Sequence, residues 1–220
     1  MATHYDLEEQ EQLAQIRHFW SRYGNAITWA LILVLSAFAA WNGWQYWQRR
    51  TSLEAAALLD ELQRAADAQD LDKVQRAWAD LQERAGRTAQ AQQGALRVAQ
   101  VLHDAGQTAP AQAALRVVVE RSGDDPLVAV ARLRLAALAL DARQFDEARQ
   151  LASQPVPPAF EGLRADRLGD VHLAAGDAEQ ARSAYRQAYA ALGGDADLRR
   201  LVEAKLNALG VDPTQSPAKP

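Results

Sequence analysis

Cysteine is absent from all 220 residues, which excludes thiolate metal sites, a cysteine nucleophile, a disulfide framework and a lipidated N-terminal cysteine. It leaves the compartment open. Isoleucine does not occur after Ile32, and no stretch alternates polar with β-branched residues, so the later chain carries no strand signal. Charge of one sign is also lacking: 24 basic and 28 acidic side chains are interspersed, for a net charge of −4. Without a basic stripe to track a phosphate backbone, nucleic acid is not an expected partner. Histidine is scarce, with four in all, and His4, His18, His103 and His172 show no metal or acid–base spacing. Gly193-Gly194 lacks the lysine and serine or threonine of a phosphate loop. No catalytic motif, metal site or cofactor site is expected.

What is present begins with an uncharged run, Tyr23 to Gln48, between Arg22 and Arg49. An apolar helix of roughly 20 residues crosses a ~30 Å hydrocarbon layer, since every backbone amide can bond within the segment. Residues 23–48 therefore read as one transmembrane helix in contact with membrane lipid. Trp20 and Tyr23 on one side, and Trp41, Trp44, Tyr46 and Trp47 on the other, are placed for the headgroup layer. Ala37-Phe38-Ala39 fits a signal-peptidase pattern, but the preceding segment is long and opens acidic with Asp6, Glu8, Glu9 and Glu11. A signal peptide opens short and basic, so the reading is a retained anchor. Arg17 and Arg22 balance Arg49 and Arg50, and the charge rule leaves the orientation open.

About 170 residues follow, a length suited to a single domain. Ala, Leu, Arg and Gln dominate them, which predicts an all-α domain. One short signature recurs four times: Asp70-Leu71-Asp72-Lys73-Val74, Gly106-Gln107-Thr108-Ala109-Pro110-Ala111, Arg143-Gln144-Phe145-Asp146-Glu147-Ala148 and Gly176-Asp177-Ala178-Glu179-Gln180-Ala181. The copies lie about 33 to 37 residues apart, near the 34-residue period of tetratricopeptide repeats, which they resemble. Leu168, Gly169, Gly176, Ala181 and Tyr185 stand where that repeat has its leucine, small residue, turn, small residue and aromatic. Helix pairs are expected at 53–68 with 71–84, 88–105 with 109–121, 126–141 with 145–152, and 160–175 with 178–192. A capping helix over 195–209 would turn Asp197, Arg199, Arg200, Glu203 and Lys205 outward. Gln154-Pro155-Val156-Pro157-Pro158 should be a stiff, extended connector.

The expected organisation is an acidic tail (1–22), the span (23–48), a tetratricopeptide-like α-solenoid (51–209) and a disordered tail (210–220). Stacked hairpins of this kind present a concave surface that binds partners. Gln100, His103, Leu133, Ala137, Leu140, Asp166, Asp170 and Leu173 are the expected groove residues on first helices.

The tail Tyr5-Asp6-Leu7-Glu8-Glu9-Gln10-Glu11-Gln12-Leu13, the entry Phe19-Trp20-Ser21-Arg22-Tyr23-Gly24-Asn25 and the exit Gly43-Trp44-Gln45-Tyr46-Trp47 together resemble the YfgM family of bacterial inner-membrane proteins. The resemblance covers nearly the whole chain and is most specific at that exit. It implies a cytoplasmic N-terminus, a periplasmic repeat domain, and association with the SecYEG translocon. It also implies work with a periplasmic prolyl-isomerase-like chaperone on newly exported polypeptides. An envelope-assembly scaffold, or a stress-signalling regulator acting through the acidic tail, are the alternatives.

Overall fold

The computed structural model of the chain describes residues 7–212, with side chains from residue 16 onward. His4, Asp6, the side chains of Glu8, Glu9 and Glu11, and the part of the expected disordered end beyond residue 212 lie outside what is described. Among the described residues every regular element is helical, and the chain divides between Leu53 and Glu54 into two compact units. The fold is all-α, as the composition predicts.

The first unit is carried by α1 (Leu7–Asp67), a helix long and apolar enough to cross a membrane. Leu31, Leu33 and Phe38 are 58%, 71% and 66% exposed, whereas the core helix of a soluble domain would bury them. Polar side chains along it turn back on their own backbone: Thr28 Oγ1 donates to the Gly24 carbonyl at 2.8 Å and Asn42 Nδ2 to that of Phe38 at 2.9 Å. Their donors are thereby satisfied without water. The sequence reading begins a separate helix at Leu53, yet α1 runs on to Asp67 without a break. No glycine or proline interrupts residues 48–53, and Thr51 Oγ1 bonds the Trp47 carbonyl one turn back instead of capping a new helix.

The second unit uses the end of α1 and eight further helices: α2 (Leu71–Ala85), α3 (Ala89–Asp104), α4 (Thr108–Arg121), α5 (Asp125–Asp141), α6 (Phe145–Ala152), α7 (Glu161–Ala174), α8 (Ala178–Ala191) and α9 (Ala196–Ala208). Each helix boundary in this set falls within a few residues of its expected place. Asp70, Thr88, Asp124, Asp177 and Asp195 mark helix starts because each side chain accepts an amide of the first turn.

The first helices of the pairs end alike. Gln69, Gly106, Arg143 and Gly176, and Gly210 after the capping helix, adopt positive φ of 54°, 76°, 60°, 85° and 73°. At each of them two amides reach back into the last turn, for example Gly106 N to His103 O at 2.8 Å and Gln107 N to Leu102 O at 2.7 Å. This double closure satisfies the orphan carbonyls and reverses the chain. The recurring motif seen in the sequence is therefore one turn geometry used again and again.

Neighbouring pairs are tied by a repeated bond. Gln75 in α2 donates to Gln107 at the head of α4 (3.0 Å), and Gln112 in α4 to Gln144 at the head of α6 (3.3 Å). Between them lies one continuous core that includes Leu62, Val74, Leu81, Val98, Leu115 and Val118. A second core collects Tyr185, Ala188, Val202 and Leu206 of α8 and α9. Close approach sets residue size: a Cβ on Gly169 would lie 2.4 Å from the Tyr185 ring, and one on Gly94 2.7 Å from Leu81.

Three local expectations need correction. The tail expected to be disordered from residue 210 begins later, because Gly210 N and Val211 N bond the Asn207 and Leu206 carbonyls at 3.0 and 2.9 Å and Val211 packs against the second core. The proline connector is shorter than expected, because Pro158–Phe160 form a 3₁₀ turn leading into α7, while Arg132 Nη1 holds the Pro155 carbonyl at 3.1 Å. The capping helix is not polar at all five expected positions. Asp197 and Arg200 face water, but Arg199 lies 4.2 Å from the Tyr189 ring centroid and Lys205 turns inward to two carboxylates.

Candidate functional site

First helices α3, α5 and α7 line a cleft of about 540 Å³ on the second unit. Its walls are apolar where Val130 and Leu133 of α5 meet Leu163 of α7 and Phe160 before it, with Ala137 widening the middle. Gln100 and His103 enter from α3, Arg134 and Asp141 from α5, and Asp166 and Arg167 from α7. Apolar walls with a few convergent polar groups are the ordinary chemistry of a binding site.

Five of the eight expected groove residues, Gln100, His103, Leu133, Ala137 and Asp166, line this cleft. Leu140 does not: it packs half-buried against the small core of Ala139, Ala148 and Val171. Leu173 is exposed outside the lining. Asp170 serves a network instead, accepting from Tyr185 Oη at 2.8 Å, from Lys205 Nζ at 2.7 Å and from Arg167 Nη1 at 3.2 Å. Sequence reasoning missed several lining residues, among them Val130, Arg134, Asp141, Phe160, Leu163 and Arg167. Arg134 stands three residues before Ala137, one turn away on the same face, and extending the stripe by that spacing would have included it.

The α7 end of the cleft is electrostatically anchored. Lys205 Nζ binds Asp166 and Asp170 at 2.7 Å each and lies 5.3 Å from the Tyr185 ring centroid. Burial pushes the Asp166 carboxyl above its usual range, with the neighbouring Asp170 charge adding to the shift and Lys205 opposing it. Burial, then the bond to Asp170, raises the Tyr185 hydroxyl well beyond its normal range, so it acts here only as a donor. No group of three or more histidine, cysteine, aspartate or glutamate side chains able to hold a metal occurs among the described residues.

In the first unit, Trp20, Tyr23, Trp41, Trp44, Tyr46 and Trp47 are all exposed on α1. Phe19 and Tyr23 rings lie 5.1 Å apart and Trp41 and Trp44 5.8 Å apart, the latter edge-on. Trp20 lies over Gly24, where a Cβ would come within 3.1 Å of the indole.

With this geometry in view, residues 17–211 match the family described as a tetratricopeptide repeat-like domain. The chain belongs to that family. It is also 27% identical over 213 residues to the "Ancillary SecYEG translocon subunit" of Neisseria gonorrhoeae, covering 95% of this chain and all (100%) of that relative. The protein of the same description from Haemophilus influenzae is 27% identical over 184 residues, covering 84% of this chain and 90% of the relative. That from Escherichia coli K12 is 25% identical over 177 residues, covering 80% and 85%. These matches bear out the YfgM-like resemblance carried by the tail, the span and its aromatic exit.

Proposed function

We propose that this chain is a non-enzymatic, single-pass adaptor of the SecYEG translocon in the bacterial inner membrane. The observation that carries the reading is the extent of the matches to ancillary translocon subunits, which take in the span as well as the repeats. In this reading residues 1–22 are a cytoplasmic tail, 23–48 the span and 51–209 a periplasmic repeat domain. The cleft between α3, α5 and α7 holds a periplasmic prolyl-isomerase-like chaperone, a newly exported polypeptide, or each in turn. Anchoring supplies the physical advantage: a domain confined beside a channel meets emerging chain at high effective concentration, so modest affinity suffices. The aromatic residues at each end of the span hold it at the two headgroup layers.

The test is a cross-linked pull-down from native membranes. The intact chain is compared with one whose residues 23–48 are replaced by an unrelated span. Enrichment of translocon subunits that depends on the native span, together with a periplasmic chaperone that depends on the repeat domain, is the expected result. Recovery of envelope-assembly enzymes or a cytoplasmic regulator in their place would overturn the translocon assignment.

A further inference from the structure

First helices α3, α5 and α7 carry arginine at one recurring position, nine residues before the left-handed turn residue: Arg97 before Gly106, Arg134 before Arg143 and Arg167 before Gly176, whereas the first pair has Asp60 there. Arg97 is taken up by Asp67 at 2.7 Å and reaches toward Gln100 at 3.5 Å. Arg167 is taken up by Asp170 at 3.2 Å, three residues on. In α5 the residue three positions on is Ala137, and among the described residues Arg134 has neither an ion pair nor a side-chain hydrogen bond. The arginine left free is the middle one of the three, and both it and the alanine that replaces its partner line the cleft.

A second observation comes from the next wall. Arg167 spends Nη1 on Asp170, but its Nε is buried without a partner. The carboxylates nearby do not answer Arg134. Asp166 is bound to Lys205, and Asp141 lies seven residues beyond Arg134, roughly 10 Å along the helix. An arginine in an apolar wall with no carboxylate of its own fits a carboxylate brought by the occupant, because a guanidinium pairs with carboxylate in two parallel bonds.

We infer that the cleft takes an extended, apolar polypeptide segment that bears an internal aspartate or glutamate, with that carboxylate on Arg134 and its apolar neighbours against Leu133, Phe160 and Leu163. The carboxylate is taken as internal because Arg134 comes from α5, between the α3 and α7 walls of the cleft, which leaves lining residues on both sides for the flanking chain. This deepens the adaptor reading by naming what the groove selects, and it rests on that reading.

The experiment uses the full-length chain in nanodiscs of zwitterionic lipid. Fluorescence anisotropy follows binding of a labelled seven-residue peptide, acetylated and amidated, with leucine and phenylalanine flanking one central glutamate. Glutamine and lysine versions, and an uncapped version with a free C-terminal carboxylate and central glutamine, are compared. The expected order is glutamate tighter than glutamine by about fivefold and than lysine by about tenfold or more. Arg134→Gln should bring the glutamate peptide to the level of the glutamine one, and Arg134→Glu should invert the order in favour of lysine. Equal binding of the three capped peptides, no binding of any, discrimination that survives Arg134→Gln, or preference for the free chain end would each overturn the inference. Translocon recovery in the pull-down would persist through all of these, so failure here is separable from failure of the adaptor reading.

Discussion

At the scale of single residues, the repeat domain is governed by what can fit where helices cross. Gly169 is the tightest such point, since the Tyr185 ring occupies the space of any side chain. Gly169→Ala should lower unfolding stability by about 1–3 kcal/mol, because the ring is held by its bond to Asp170 and cannot yield freely. Chemical denaturation of the full chain in detergent measures this, and an unchanged midpoint would refute it. Asp166 offers a test of electrostatics. Its folded-state pKa is raised above the ordinary carboxylate value of 3.8 by burial, so its favourable contribution is fully present below that value and fades as pH rises through the folded one. Melting the wild type and Asp166→Asn at pH 7 and at pH 4 should therefore show the difference shifting toward the wild type at the lower pH. A difference independent of pH would mean that Asp166 is not desolvated.

Among elements, the helix-ending turns matter most. Gly106, Gly176 and Gly210 adopt the left-handed conformation freely, but Gln69 and Arg143 hold the same conformation with side chains that disfavour it. Arg143→Gly should stabilise the α5–α6 turn by about 1 kcal/mol, read as a higher denaturation midpoint with an unchanged slope. A lower midpoint would show that the arginine side chain supplies an interaction worth more than the strain. The same turns explain why the four signatures could be found at all. A left-handed residue followed by a capping group is a local requirement, so it leaves a mark in glycine, aspartate and glutamine wherever it occurs.

For the whole molecule, the two units make different demands on their surroundings. The first exposes Trp29, Leu31, Leu33, Val34 and Phe38 along one helix, which lipid can cover and water cannot. Leu33→Arg places a charge near the middle of that stretch, at a cost of about 2.5–3.5 kcal/mol for insertion. The expected outcome is a larger share of the chain released from membranes by alkaline carbonate extraction. Full retention would argue that the segment is not the anchor.

Legibility in the sequence followed the range of the interactions involved. The all-α class, the apolar helix, the four repeated turns and the small and aromatic repeat positions at Gly169 and Tyr185 were readable because each depends on residues near one another in the chain or on a fixed repeat spacing. Tertiary structure alone decided that α1 runs unbroken past Leu53, that Lys205 faces Asp166 and Asp170 across 39 and 35 residues, and that Leu140 belongs to a core and not to the cleft. It also decided that Arg134 stands in the cleft wall with no ion pair among the described residues, while Arg97 and Arg167 are engaged. Periodicity tells which face of a helix is apolar, but the rotation of one helix against the next is set by side-chain packing between them, and a shift of one residue moves a side chain about 100° around the axis.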